Sequence, residues 1–315
     1  MRILFFGTSS FAVPTLHLLS KSSEHDILGV VTQPDRPRGR GRQPGFSPVK
    51  QLALEIGAPI FQPEIVKSPS FIGEVQKIAP EVFVLASYGQ IIPRKLLNIP
   101  KYGPINVHAS LLPAWRGAAP IQHSLLNGDH ETGATTMWMT PSLDRGDILL
   151  QRSLPIDPDD DSDSLTSKLS ELGADLLLET LDRLVEGSCP ITPQDDSRAT
   201  YAPSLQSEDA VIRWEQSAEM CRNRIRAMCS KPGAFTSFAG RRIKIYTAAI
   251  SVETNIAPGT ILSIEHDSVV VACSDRAIEL REVQPESGRR MNASDWARGI
   301  RIKAGEKFDM ESSPV

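Results

Sequence analysis

The first thirty-one residues limit the possible folds more than any other part of the chain. Ile3–Phe6 is a short apolar run that breaks into the small residues Gly7-Thr8-Ser9-Ser10. Apolar positions then recur with a helical period at Phe11, Val13, Leu16, Leu18 and Leu19, and a second apolar run covers Ile27–Val31. A brief apolar run bounded by a turn reads as a buried strand and the spaced positions as a helix, with Pro14 tolerated in a first turn. Strand, helix and strand in this space form a βαβ unit, whose right-handed crossover makes the two strands parallel neighbours.

The rhythm persists. Val49–Ile56 and Ser70–Lys77 read as helices, and Ile60-Phe61, Val82–Ala86, Pro104–His108 and Thr135–Met139 as strands. Gly117–Asn127 reads as a further helix. Ser162–Glu186 carries the clearest helical period, through Leu165, Leu169, Leu172, Leu176, Leu177, Leu181 and Leu184. This alternation predicts an α/β, Rossmann-like, open and mainly parallel sheet covered on both faces, over residues 1–189. Residues 190–207 are rich in Pro, Asp and Ser, which predicts a linker. Over residues 208–315 a single helix, Ser217–Met228, precedes short β-type runs: Ala234–Phe238, Ile243–Ala249, Gly259–Ile264, Ser268–Ala272 and Ala277–Val283. Such runs predict a small, OB-like β-barrel domain.

Composition excludes several classes. Four scattered cysteines, Cys189, Cys221, Cys229 and Cys273, form no CxxC and have no histidine at ligand spacing. They read as reduced thiols rather than bridges or a metal site, and no metal is expected. No apolar stretch reaches the ~18–20 residues of a membrane span, and no targeting segment precedes the first strand, so a cytoplasmic protein is expected; a monomer is expected as well. Net charge is −4, with −5 over residues 1–203 and +1 over residues 204–315. That weighs mildly against a nucleic-acid partner as a whole, but basic residues cluster locally.

Three segments could carry chemistry. Gly7 stands without a G-x-G-x-x-G pattern, which removes most support for a dinucleotide cofactor. In Ile105-Asn106-Val107-His108 an extended backbone puts Asn106 and His108 on one side. An amide donor beside an imidazole could hold an oxyanion. A histidine closing a strand with a satisfied hydrogen bond would look the same, and spacing alone leaves both readings open. Leu143-Asp144-Arg145-Gly146-Asp147 places a carboxylate on a glycine turn after a strand, where α/β sheets put functional groups; a simple turn aspartate fits equally well. Between Gln33 and Gly45, Arg36, Arg38, Arg40 and Arg42 alternate with Gly and Pro in a connection longer than the ~2–6 residues usual in α/β units. Arginines so placed suit phosphate contact, or simply solvation.

Taken together, Asn106-Val107-His108-Ala109-Ser110-Leu111-Leu112-Pro113, Trp115-Arg116-Gly117-Ala118-Ala119-Pro120 and Leu143-Asp144-x-Gly146-Asp147 resemble the folate-dependent formyltransferase superfamily. The arginine segment, Ser47-Pro48-Val49-Lys50, Tyr88-Gly89-Gln90-Ile91-Ile92-Pro93 and Gly288-Arg289-Arg290-Met291 resemble its methionyl-tRNA formyltransferase branch. The resemblance spans nearly the whole chain. It implies catalytic roles for Asn106, His108 and Asp144, and a 10-formyltetrahydrofolate site along Tyr88, Gly89, Gln90 and Ile91 with Ser110, Leu111, Leu112 and Pro113. It also implies contact with initiator methionyl-tRNA through Arg36, Arg38, Arg40 and Arg42, Arg40 matching the key loop position. The C-terminal domain would add Arg241, Arg242, Lys244, Arg289 and Arg290. By the same resemblance Ala114 stands where Arg is usual, Ser142 where Gly is usual, Arg145 where a small or polar residue is usual, and Cys229–Gly233 lacks a Trp. Rival readings are a formyltransferase for a sugar nucleotide or purine precursor, which would need no arginine segment, and an inactive RNA-binding protein on the same scaffold.

Overall fold

A computed structural model describes residues 1–38 and 43–309. The chain divides into two units: Met1–Pro120, Glu131–Pro155 and Thr166–Ala202 form the first, and Ile121–His130, Ile156–Leu165 and Pro203 onward form the second.

The first unit is built on a seven-stranded sheet. In chain order its elements begin with β1 (Arg2–Gly7), α1 (Val13–Lys21), β2 (Asp26–Val31), the hairpin strands β3 (Arg36–Arg38) and β4 (Gln43–Gly45), α2 (Pro48–Glu55) and β5 (Ile60–Phe61). They continue with α3 (Pro69–Ile78), β6 (Val82–Ala86), α4 (Arg94–Leu97), β7 (Pro104–His108) and the two-residue β8 (Arg116–Gly117). After α5 (Pro120–Asn127), whose residues from Ile121 on belong to the second unit, come β9 (Glu131–Trp138), β10 (Ile148–Pro155), the long α6 (Ser162–Glu186), which starts in the second unit, and β11 (Tyr201–Ala202). Serine caps start α2 and α3: the Ser47 and Ser68 hydroxyls accept from Lys50 N and Phe71 N, each with proline next in the chain. Both signals are local, which is why both helices were readable.

The sheet runs β10-β9-β7-β6-β1-β2-β5. The five strands from β7 to β5 are parallel; at one edge β9 runs antiparallel to β7, and β10 antiparallel to β9. The sequence predicted β9 but not its partner β10, whose middle residues are exposed and lack an apolar run. β1 and β6 are buried throughout apart from Arg2, as a parallel sheet covered on both faces requires. The chain leaves β1 for β2 and β5 and returns as β6 on the other side of β1. The carboxyl ends of β1 and β6 therefore flank a topological switch point. There Thr8 N donates to the Ser87 carbonyl at 3.1 Å, and the Thr8 hydroxyl to the Tyr88 carbonyl at 2.9 Å. On the far side of β7, Val107 meets α6 at Gly173, where an added Cβ would lie 2.7 Å from a Val107 methyl. Val107 thus faces the core, and its neighbours Asn106 and His108 face the other way.

Residues 190–202, read as linker, are tied to the first unit. Thr192 and Ile148 exchange backbone hydrogen bonds, Arg116 N donates to the Thr200 carbonyl, and β11 pairs in parallel with β8.

From Pro203 onward the second unit is an antiparallel sheet with two helices of its own. It comprises α7 (Ala218–Ala227), β12 (Ala234–Phe238), β13 (Arg241–Glu253), β14 (Ile261–Ile264), β15 (Val269–Ala272), β16 (Arg276–Pro285), β17 (Met291–Asn292) and α8 (Ala293–Gly299). The order is β12-β13-β16-β15-β14, with β17 against β16. Register shifts along β13–β16 mark bulges that bend the long strands. Trp214 stacks on Phe308 with ring centroids 5.1 Å apart, and Phe308 on Trp296 at 6.0 Å. The Trp214 indole N–H is satisfied by the Thr236 hydroxyl at 3.0 Å, as a buried indole donor requires.

Candidate active site

β7 delivers its last residues to the carboxyl edge of the sheet, one strand beyond the switch point. Asn106 is half-buried, and its side-chain amide makes no hydrogen bond among the described residues. A half-buried amide with its donors unspent suits a ligand oxygen. His108 is buried, 5% exposed. Its Nε2 donates to the Trp115 carbonyl at 3.0 Å, and its Nδ1 lies 3.8 Å from Asp144 Oδ2. The first contact fixes a proton on Nε2, since a carbonyl can only accept. The second is an ion-pair separation, too long for a hydrogen bond. Asp144 therefore faces the imidazole without being locked to it.

Asp144 is itself tightly held. Its backbone adopts a left-handed φ of 51°, a conformation aspartate tolerates better than most residues. Its Oδ2 accepts from Gly117 N at 2.9 Å. Two glycines make this approach possible. Gly117 has φ of 128°, and an added Cβ would meet the Ala202 carbonyl oxygen at 2.4 Å. At Gly146 an added Cβ would meet the Trp138 carbonyl oxygen at 1.7 Å. Both motif glycines are thus required by space, and Gly117 by its backbone angle as well.

Behind the turn lies a polar cluster absent from the sequence reading. Gln194 Nε2 donates to the Asp144 carbonyl at 2.9 Å and the Gly146 carbonyl at 2.7 Å. Gln194 Oε1 accepts from Arg116 Nε at 3.0 Å and a terminal nitrogen at 2.8 Å. Arg116, 1% exposed, also pairs with Asp196 at 2.7 Å, and this hydrogen bond holds the Asp196 carboxyl below the usual range. Arg145, flagged as a departure, bonds the Tyr201 hydroxyl at 3.0 Å and lies 3.9 Å from Asp196. Its guanidinium pulls the Tyr201 phenol below its ordinary pKa. Gln194, Asp196 and Tyr201 come from the stretch read as linker, and nothing in its local pattern marks them.

The expected folate segments follow β6 and β7, adjacent parallel strands with matched ends. Tyr88 is 4% exposed, its ring edge-on to Phe6, and burial pushes its phenol up to about 12. Its hydroxyl has no partner among the described residues, whereas its carbonyl accepts from Thr8 and Gln33. Gly89 has φ of 90°, Gln90 bonds Val66 N, and Ile91 is strongly exposed. On the other segment the Ser110 hydroxyl is spent on the Ala114 carbonyl, and Leu112 is buried with Met137 and Ile148. Leu111 and Pro113 are half-buried. The segment therefore offers mainly backbone groups and the Leu111 side chain.

Of the basic residues, Arg36 is exposed on β3 and Arg38 lies on the same strand, while Arg40 and Arg42 lie outside the described residues. On β13 the period of two gives Arg242, Lys244 and Tyr246 one face, against Ile243 and Ile245 on the core side. Arg242 lies over the Phe235 ring at 3.8 Å, Arg290 over Tyr246 at 3.5 Å, and Lys244 donates to the Pro232 carbonyl at 2.6 Å. Arg290 also faces Glu282 at 3.7 Å. Arg241 and Arg289 are exposed.

Comparison with known proteins places this geometry in a family. Residues 1–181 match the formyl transferase family and residues 204–301 the formyl transferase C-terminal domain. A methionyl-tRNA formyltransferase of Caldanaerobacter subterraneus subsp. tengcongensis is 46% identical over 307 residues, covering 97% of this chain and 99% of the relative. One from Geobacter metallireducens is 43% identical over 305 residues, covering 97% of each. HypX from Aquifex aeolicus, solved in complex with tetrahydrofolic acid, shares the fold with a TM-score of 0.67 at 18% identity. That match covers 98% of this chain and 48% of HypX, so the chain spans about half of that protein's length. Full-length identity at this level, over both domains, shows that the chain belongs to the formyl transferase family and, within it, to the methionyl-tRNA formyltransferases.

Proposed function

We propose that the enzyme transfers the formyl group of 10-formyltetrahydrofolate to the α-amino group of initiator methionyl-tRNA, in the cytoplasm and as a monomer, in support of translation initiation. The observation that carries the site assignment is the uncommitted Asn106 amide beside His108 and the restrained Asp144 carboxylate, at the carboxyl edge of a parallel sheet. The relatives' names carry the acceptor.

Bound formyl-folate supplies the acyl carbon. Its pterin lies along the backbone of residues 88–92 and 110–113, with Ile91 and Leu111 as apolar cover. The methionine amine attacks the formyl carbon, and the carbon–oxygen double bond opens to an oxyanion. Asn106 and a protonated His108 hold that oxyanion, an arrangement in which one donor is typically worth ~10²–10³ in rate. Asp144 orients His108 and takes up the proton the amine loses. The oxyanion then collapses, the bond from the carbon to the folate nitrogen breaks, and that nitrogen receives the proton as tetrahydrofolate leaves. A free α-amino group has a pKa of ~7.7–8.0, so a useful fraction is already nucleophilic near neutrality. Burial raises the Cys189 thiol and pushes Cys229 up to about 12, and a hydrogen bond with Cys221, together with burial, raises Cys273. None of these three is a ready thiolate, in keeping with direct transfer. The basic face of β13 and the Arg36–Arg42 segment contact tRNA phosphates.

The test is formylation of charged initiator tRNA against formylation of a sugar-nucleotide amine, with formyl-folate as donor. Preference for the sugar nucleotide would overturn the acceptor assignment and leave the family standing.

A further inference from the structure

We propose that Gln194, backed by the buried Arg116, is a positioning residue for formyl transfer: it holds the turn that carries Asp144 and so sets where that carboxylate stands relative to His108. The inference rests on reading Asp144 as catalytic.

Three observations carry it. First, both amide hydrogens of Gln194 are spent on the turn, at 2.9 Å to the Asp144 carbonyl and 2.7 Å to the Gly146 carbonyl. These carbonyls bracket Arg145, so a single side chain fixes both ends of a two-peptide step. Second, the orientation of that amide is dictated from behind. Two guanidinium nitrogens of Arg116 point at Gln194 Oε1, and a guanidinium can only donate. The oxygen must therefore face Arg116 and the nitrogen must face the turn. Third, Asp144 sits at a left-handed φ and only 3.8 Å from Nδ1 of His108. Its distance to the imidazole is set by the backbone of the turn and by Gly117 N on the carboxylate, not by a bond between the two side chains. A turn free to relax would carry the carboxylate with it. Misplacement by ~1 Å of a group that must meet a reacting centre can cost ~10² in rate.

The experiment uses the full chain, with kcat and KM measured for formyl-folate and for charged initiator tRNA in wild type, Gln194→Met, Gln194→Glu, Asp144→Asn and Asp144→Asn/Gln194→Met. Met keeps the volume and loses the donors. Glu keeps an acceptor for Arg116, and with it that half of the cluster, but cannot donate to the carbonyls. Asn tolerates the left-handed backbone at position 144. Both Gln194 variants are expected to lose about tenfold or more in kcat with both KM values within about twofold of wild type. The double variant is expected to be no slower than Asp144→Asn alone, because residues acting through one group are not additive. Wild-type kcat in Gln194→Glu, or multiplied losses in the double variant, would overturn the proposal; so would losses confined to KM. If Gln194→Met fails to fold, Gln194→Glu carries the comparison. Wild-type kcat in Asp144→Asn would sink the catalytic reading of Asp144 and this inference with it. An impaired Asp144→Asn with unimpaired Gln194 variants would sink this inference alone.

Discussion

At the Asp144 turn, a carboxylate, two carbonyls, an amide and a buried guanidinium are joined by hydrogen bonds of 2.7 to 3.0 Å. Along β13 the support is of another kind. Arg242 and Arg290 rest on ring faces, Lys244 reaches one carbonyl, and a buried terminal nitrogen of Arg242 has no partner among the described residues. The first arrangement removes freedom from every atom near the imidazole, as a group that must meet a reacting carbon requires. The second rests the guanidinium heads on ring faces and gives the ammonium one carbonyl. That suffices where the partner is a repeating phosphate chain and the interaction is electrostatic. The difference teaches that precision is concentrated on the sheet edge and breadth on the strand face, and it can be broken experimentally.

The largest effects should come from the oxyanion donors. Asn106→Ala and His108→Ala are each expected to lower kcat by ~10²–10³ in a formylation assay, with thermal unfolding unchanged. Near-wild-type turnover in either would remove that residue from the mechanism. Gly146→Ala comes next. Its methyl has no room beside the Trp138 carbonyl oxygen, and overpacking of this kind costs about 1–3 kcal/mol. Urea denaturation should show the loss, and an unchanged midpoint would mean the turn is looser than its geometry implies. On the strand face, Arg242→Ala and Lys244→Ala should each raise KM for tRNA and lower the salt slope of binding by about 1, leaving KM for formyl-folate alone. Equal effects on both substrates would erase the contrast drawn above.

The smallest effect at neutral pH is expected from Tyr88→Phe, since the lost hydroxyl has no partner among the described residues; at pH 7 the change should stay within about 1 kcal/mol. Alkali should separate the two proteins. The folded phenol sits at about 12, against ~10 unfolded. The unfolded chain therefore gives up its proton first, and wild type loses stability as pH rises from about 10 to 12. Tyr88→Phe should lack that part of the decline. Matching pH–stability curves would show that the phenol is not buried in solution.

What the sequence disclosed follows from how far apart the partners lie. The parallel strands were legible because β1 and β6 are buried on both faces and, like β2, read as apolar runs. Asn106 and His108 were legible because two residues along a strand share a side. Asp144 was legible as a glycine-turn carboxylate. Gln194 was not, because its partners Arg116 and Asp144 lie 78 and 50 residues away and a glutamine among Pro and Asp looks like any polar loop. β10 escaped for a related reason: an edge strand with exposed middle residues carries no periodic signal. The bonding of Arg242 and Arg290 to ring faces likewise depends on cross-strand neighbours that composition does not reveal.

The pairing of Tyr201-Ala202 with Arg116-Gly117 has a consequence for how such chains can be recombined. Residues 190–202 connect two halves in sequence, but they also furnish the back wall of the first half's chemistry. An exchange of C-terminal halves spliced at residue 190 would hand the recipient a foreign wall. The same exchange spliced after Ala202 would leave the wall with its owner. Inheritance of activity in such chimaeras should therefore follow thirteen residues that resemble a spacer.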